Sequence, residues 1–425
     1  MTEIEEREIP MPTRGENGKA SILVSLPDEA RFKVEPGDES TYPFTLPPII
    51  LLHGSFHGAW CWEEHYIPYF VQLGYPVVAL NFRGAGAKDE TATSSKVTIQ
   101  EHCEDLHCFL QQIPSLFTKY SCEPETASEE QAPLPPEQAP TVPLVKPILI
   151  SHSFGGIVLM KYLEGEWTKQ KAKDSFSAII VMCSLPPSGM SRVSNRMMWR
   201  SIGDTWKMVQ GMAMKKFVTD PALCRDMFFG GPSENDDVDD NTEATIAAES
   251  PTVGAGDNAE AEEGADPDAD ADANTAVTAD TTVATEASSI TLTRIAKLSD
   301  AEIQKFQEYF ARDTRVSTDT RNLPWPSMKV DRLGRAPFVG ELPPCLVVGG
   351  KQDFMVDEKG CIETAKYFGL IQEGREGATR DVTEEKRGTT KHSGPLMVDA
   401  PHDLMLVPHW QDIADELQAW IQSAV

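Results

Sequence analysis

Six short apolar runs, separated by stretches of helical spacing, restrict this chain to few architectures. They fall at Pro47-Pro48-Ile49-Ile50-Leu51-Leu52, Pro76 to Asn81, Pro147 to Ile150, Ser177 to Cys183, Pro344 to Gly350 and Pro395 to Asp399. Strands that are apolar on consecutive positions are buried on both faces, as in a parallel sheet covered by helices. Between the runs, helices are expected up to about Leu73, where Gly74 stops one, from Val97 to Phe117, over 358–369 and from His409 to Ser423. The alternation predicts an α/β fold with a mostly parallel, doubly wound sheet joined by right-handed crossovers. Ser21–Ser25 and Arg31–Val34 are shorter and alternating, suited to an antiparallel sheet edge.

The pattern pauses between Pro186 and Leu342, which places an insertion between two strands of one sheet. Residues 190–228 and 292–312 read as helical, and the first piece holds seven of the chain's fifteen methionines. Methionine fills irregular apolar space, so these residues suit either an adaptable acyl pocket or the packing of a cap. The expected organisation is a flexible arm over 1–18, a core over 19–185 and 343–425, and a cap over 186–342. Within these, the Pro-rich segment 121–146 is expected to be a flexible loop, and the Ala/Asp/Glu/Thr-rich 231–289 to be disordered.

The net charge of −28 argues against nucleic acid and against anionic membrane surfaces. Much of it is local: Glu234 to Glu286 carries 17 acidic residues and no Lys or Arg, and −28 + 17 leaves −11 for the rest. The acidity therefore describes the insert. Eight scattered cysteines without a CxxC pair, and the lack of any Asn-x-Ser/Thr sequon, suit free thiols in a reducing compartment. The charged N-terminus lacks the apolar core of a signal peptide, and no run reaches the ~18 residues of a membrane span. The expected location is cytoplasmic.

The chemistry is expected at the carboxyl ends of the strands, where loops of such a sheet converge. Ile148-Leu149-Ile150-Ser151-His152-Ser153-Phe154-Gly155-Gly156 reads as strand, sharp turn and helix, with Ser153 at the apex between small residues. A serine hydroxyl is a weak nucleophile that needs a base oriented by a carboxylate. Asp353 lies three residues past the Val347-Val348-Gly349-Gly350 strand end, and His402 follows the last strand, giving the order Ser, acid, His. Asp357 and Asp403 compete for the acid role, and His152, His392 and His409 for the base; strand-end placement favours Asp353 and His402. An oxyanion hole needs backbone N–H donors. The Phe154 amide and the amide of Ser55, or of Phe56 next to it, are the candidates, with Phe56, His57, Trp60 and Trp62 as pocket walls, core packing being an equal alternative for the two tryptophans. The set calls for no cofactor and no metal.

Together, His53-Gly54, Arg83-Gly84-Ala85-Gly86, Ser151-x-Ser153-x-Gly155, Gly350-x-x-Asp353 and the late His402 resemble the α/β-hydrolase superfamily. The run His53 to Trp62 is similar to the corresponding loop of plant methylesterases and hydroxynitrile lyases. The resemblance implies Ser153 as nucleophile, Asp353 as acid, His402 as base, Ser55 and Phe154 as oxyanion donors, and the insertion as a cap. Ser151 and Pro401 stand where glycine is usual, and Asn81 where aspartate is common. Serine at 153 disfavours the branches that use aspartate there. The implied activity is hydrolysis of a carboxylic ester, with a small-molecule ester or lipid-like compound as substrate. The same three groups would also serve an acyltransferase, a lyase or a ligand-binding protein with a slow triad.

Overall fold

The apolar runs form one sheet in the computed structural model, which describes residues 3–28, 44–87, 96–118, 145–165, 172–230, 297–314, 317–318, 328–371, 380–381 and 394–425. The strands are β1 (Glu5–Pro10), β2 (Lys19–Ser25), β3 (Ile49–Leu52), β4 (Val77–Leu80), β5 (Lys96–Val97), β6 (Ile148–His152), β7 (Ala178–Met182), β8 (Ser317–Thr318), β9 (Cys345–Gly350), β10 (Arg380–Asp381) and β11 (Leu396–Val398). The helices are α1 (Trp60–Glu63), α2 (Tyr66–Gln72), α3 (Ile99–Thr118), α4 (Phe154–Glu164), α5 (Ala172–Ser175), α6 (Met190–Arg200), α7 (Ile202–Met208), α8 (Pro221–Cys224), α9 (Asp300–Asp313), α10 (Glu358–Tyr367) and α11 (Trp410–Ala424). Among the described residues, nine strands join in the order β1-β2-β4-β3-β6-β7-β9-β11-β10, while β5 pairs with β8 in a separate two-stranded sheet. Every pairing from β4 onward is parallel; β2 runs antiparallel to both β1 and β4.

Register explains why the runs are apolar throughout. Leu51 and Ile150 face one core layer with Trp62, Tyr66 and Leu417, while Leu52 and Leu149 face the other with Phe109, Val158 and Phe176. Such two-sided burial supplies most of the stability, at roughly 25 cal/mol per Å² of apolar surface.

Two expectations need correction. Residues 1–18 were read as a flexible arm, yet Glu5–Pro10 is an edge strand paired with β2 over six residues. Its charges hid it: Lys19 pairs with Glu8 across the ladder at 2.9 Å, and only Ile9 is buried within the strand. Charged edge strands of this kind resist pairing with other chains. The helix expected up to Leu73 is split into α1 and α2, because Pro68 lacks the N–H that a continuous helix would use and is tolerated only in a first turn.

The candidate strand Arg31–Val34 and the stretch 231–289 lie outside the described residues, as does 121–146 apart from its last two residues. The chain divides into two units, 1–235 with 295–425, and 236–294; the described residues belong to the first. There the insertion's helices share a core layer with the sheet: Phe217, Phe228 and Phe310 cluster with Leu51 and Trp62. Ser299 and Glu302 form a reciprocal capping box that starts α9. No described helix is long and apolar enough to cross a membrane.

Candidate active site

Strand β6 ends at His152, and the chain reverses at Ser153 with φ 50° and ψ −116° before α4 begins. A non-glycine residue there is strained, and such strain collects at functional sites. The turn needs small neighbours for a measurable reason. A Cβ on Gly155 would stand 2.8 Å from the carbonyl oxygen of His53, and one on Gly54 2.9 Å from the Ser153 Cβ. On Gly156 it would meet the Ser184 Oγ at 2.2 Å. Ser151, where glycine is usual, is accommodated with its hydroxyl donating to the Ile180 carbonyl at 3.3 Å.

The ends of β9 and β11 close on this turn. Gly350 lets them approach, since a Cβ there would lie 2.3 Å from the Ala400 carbonyl oxygen. His402 Nε2 is 3.0 Å from Ser153 Oγ, and His402 Nδ1 is 2.8 Å from Asp353 Oδ2. The other Asp353 oxygen accepts the amides of Met355 at 2.7 Å and Val356 at 2.9 Å. The carboxylate is thus fixed by three donors, which orients the imidazole so that Nδ1 carries a proton and Nε2 faces the hydroxyl. Burial works against the imidazolium of His402, but the Asp353 carboxylate outweighs it and raises the pKa above the ordinary histidine value. The rivals are otherwise engaged. Asp357 caps α10 and pairs with Arg196, while His409 bonds the Asp399 carbonyl at 3.0 Å. His392 lies outside the described residues.

The loop after β3 faces the same turn. His57 N donates to the Gly54 carbonyl at 3.4 Å, closing a four-residue turn with Phe56 at φ 68°. Among the described residues, neither the Ser55 amide nor the Phe154 amide meets a hydrogen-bond acceptor. Both residues line a cavity of about 230 Å³ with Phe56, His57, Met212 and Lys215. Phe154 starts α4, where N–H groups lack intrahelical partners and the helix dipole favours negative charge. Of the two readings of Trp60, packing holds: it is absent from this wall, its indole donating to Asp313 at 2.8 Å and its ring packing on Phe306, Tyr309 and Phe310.

Several groups under the site carry no local sequence signal. Asp403, read as a rival acid, instead accepts from His57 Nε2 at 2.8 Å, while His57 Nδ1 faces the Ser55 carbonyl at 2.8 Å. Both ring nitrogens face acceptors, and ring and carboxylate form a fully buried pair. Although burial favours the neutral acid, His57 holds the Asp403 carboxyl below its ordinary pKa. His152 donates from Nε2 to the His402 carbonyl at 3.0 Å, and burial pushes its pKa well down. His53, neutral with its pKa lowered by burial to about 4, accepts the Phe82 amide at 3.0 Å and ties the ends of β3 and β4 together. Asn81 has a structural use, receiving the Ala59 amide at 2.7 Å and donating to Ser21 at 2.8 Å.

Cys183 also borders the site. Burial, followed by the neighbouring Asp353 charge, pushes its thiol well up, so it keeps its proton at φ 44°. Cys183, Asp353 and His402 come close enough to hold a metal ion, as do His152, His402 and Asp403. Either would take a His402 nitrogen already facing Ser153 or Asp353. The seven described cysteines are free thiols.

A model of the alpha/beta hydrolase family matches residues 49–416. Methylesterase 2 of Arabidopsis thaliana is 26% identical over 111 residues, 26% of this chain and 31% of that protein. Methylesterase 1 of the same plant is 26% identical over 116 residues, 27% and 33% of the two. The chain thus spans about a third of the length of the curated relatives it matches. Among solved structures, a 2-hydroxy-6-oxo-6-phenylhexa-2,4-dienoate hydrolase from a Rhodococcus species aligns at 15% identity and TM-score 0.45, covering 99% of this chain and 100% of that one. A bromoperoxidase from Bacillus anthracis aligns at 13% identity and TM-score 0.47, covering 98% and 100%.

Proposed function

The chain belongs to the alpha/beta hydrolase family, and on that premise we propose that it cleaves a carboxylic ester through an acyl-enzyme on Ser153. The observation that carries the reading is the continuous relay Ser153 Oγ, His402 Nε2, His402 Nδ1, Asp353 Oδ2, with links of 3.0 and 2.8 Å. In this reading His402 Nε2 takes the hydroxyl proton as Oγ attacks the ester carbonyl carbon. The charge that develops on the carbonyl oxygen is met by the Ser55 and Phe154 amides, whose open valences and shared cavity support that role. The proton then passes from His402 to the departing alkoxide. Water, deprotonated by His402, attacks the acyl carbon and releases the acid, restoring Ser153. Asp353 keeps the proton on Nδ1 throughout and stabilises the imidazolium.

The partial similarity to two methylesterases supports an ester as substrate, and the cavity's aromatic walls suit a small apolar group. The test is hydrolysis of short p-nitrophenyl esters by the full chain and by Ser153→Ala. The expected loss in kcat is on the order of 10⁶-fold. Unchanged turnover in the variant would overturn the reading. Added alcohol should not divert the acyl group, which an acyltransferase would favour.

A further inference from the structure

The loop after β3 is held in a conformation that it would not adopt alone. Four non-glycine residues among the described ones have positive φ: Phe56, Ser153, Cys183 and Lys215. Phe56, at φ 68°, is the third residue of the turn 54–57, closed by the His57 amide on the Gly54 carbonyl at 3.4 Å. Ser55, the second residue, keeps negative φ, so the turn is of type II, which favours glycine at the third position. Type I differs by inversion of the central peptide, here the one between Ser55 and Phe56, and would return Phe56 to relaxed negative φ. Glycine would relieve the strain, but the Phe56 ring is in use: it packs on Phe217 at 5.1 Å and lines the cavity. Another group must therefore hold the peptide.

That hold comes from behind the loop. The Ser55 carbonyl lies 2.8 Å from His57 Nδ1, and a carbonyl oxygen can only accept, so Nδ1 donates. His57 Nε2 faces Asp403 Oδ2 at 2.8 Å. His57 is 1% exposed, stacked on Trp60 at 5.5 Å and met edge-on by Phe310 at 4.9 Å, so its ring cannot turn to follow a moving carbonyl. Asp403 is fixed in turn, its amide donating to the Phe228 carbonyl at 3.0 Å, and it directly follows His402. The contacts thus run from the base through Asp403 and His57 to the peptide beside the Ser55 amide. In a trans peptide C=O and N–H point opposite ways. Inversion would take the Ser55 carbonyl away from His57 and set its oxygen where the Phe56 N–H now points. A carbonyl dipole there repels the charge that the neighbouring amides would meet.

We propose that His57 and Asp403 are positioning residues, which pin the strained peptide between Ser55 and Phe56 and so keep the amides beside Ser153 aimed at the reacting carbonyl. The catalytic consequence rests on the hydrolytic reading; the pinning itself is a matter of backbone conformation.

The test is His57→Gln in the full chain. The glutamine amide nitrogen takes the place of Nε2 and keeps a donor for Asp403, while nothing replaces Nδ1 at the Ser55 carbonyl. A crystal structure of the variant is expected to show Phe56 at negative φ and the Ser55 carbonyl turned round; Phe56 still near φ 68° would overturn the proposal. For a short p-nitrophenyl ester kcat is expected to fall about 10²-fold with KM within about threefold, as for the loss of an oxyanion donor. Adding Phe56→Gly makes the type II turn intrinsically favourable and should recover at least about tenfold of that loss. A packing role alone would leave kcat unmoved in a folded variant and would not respond to glycine at position 56. Should His57→Gln not fold, His57→Phe/Asp403→Leu removes both polar partners and strands no charge, and the same readouts apply. Parent-like kcat in the folded variant, or no recovery with glycine, overturns the proposal. Absence of ester turnover in the parent chain bears on the hydrolytic reading alone, since the orientation of the peptide is read without it.

Discussion

Replacing Asp353 by asparagine removes one charge and keeps the shape, and its effect can be worked out from the hydrogen bonds. Oδ1 accepts two backbone amides, from Met355 and Val356, so the asparagine carbonyl oxygen is held there. The NH₂ group must then face His402 Nδ1, which has to accept a proton where it previously donated one. The imidazole proton moves to Nε2 and points at Ser153 Oγ, so the ring can no longer take the serine proton. The fold is left intact, and the loss is one of tautomer. A comparable change at a serine triad lowers kcat by about 10⁴-fold, or ~5.5 kcal/mol at ~1.36 kcal/mol per decade. The assay is kcat for a p-nitrophenyl ester, with denaturant unfolding run alongside. Activity within about tenfold of the parent, in a folded Asp353→Asn sample, would refute the relay.

Further outcomes follow from the same geometry. His402 must be neutral to act as base, and Asp353 raises its pKa; kcat/KM should therefore fall on the acid side with a midpoint above the ordinary histidine value of ~6.5, and an acid limb below it would contradict this. Asp403→Ala strands the buried His57, so unfolding free energy should drop by about 3–5 kcal/mol, and a loss under ~1 would show the pair to be dispensable. Gly155→Ala sets a methyl against the Leu52 and His53 carbonyls, which are backbone and cannot swing away; a stability loss of about 1–3 kcal/mol and weaker ester turnover are expected, and parent-like behaviour would refute the close approach.

The sheet and the three groups of the relay were legible because the same feature announces both. Each of Ser153, Asp353 and His402 follows a run apolar on consecutive positions, and such runs are what a doubly covered parallel sheet requires. Strand β1 was not legible, since its one buried residue, Ile9, follows four charged residues and precedes a proline, with no alternation to read. The His57–Asp403 pair joins residues 346 positions apart, and the sequence showed only a histidine near one candidate loop and an acid beside another. Trp60 could be read either as pocket wall or as packing, because the partner that decides it, Asp313 at the far end of α9, lies 253 positions away and captures its indole.

The central claim is that Ser153 is a nucleophile activated by His402. The most direct measurement is treatment of the folded chain with a fluorophosphonate, followed by peptide mass spectrometry. The account predicts a single adduct on Ser153 that is absent in Ser153→Ala and strongly slowed in His402→Ala. A folded chain that takes no adduct, or takes it on another residue, would contradict it.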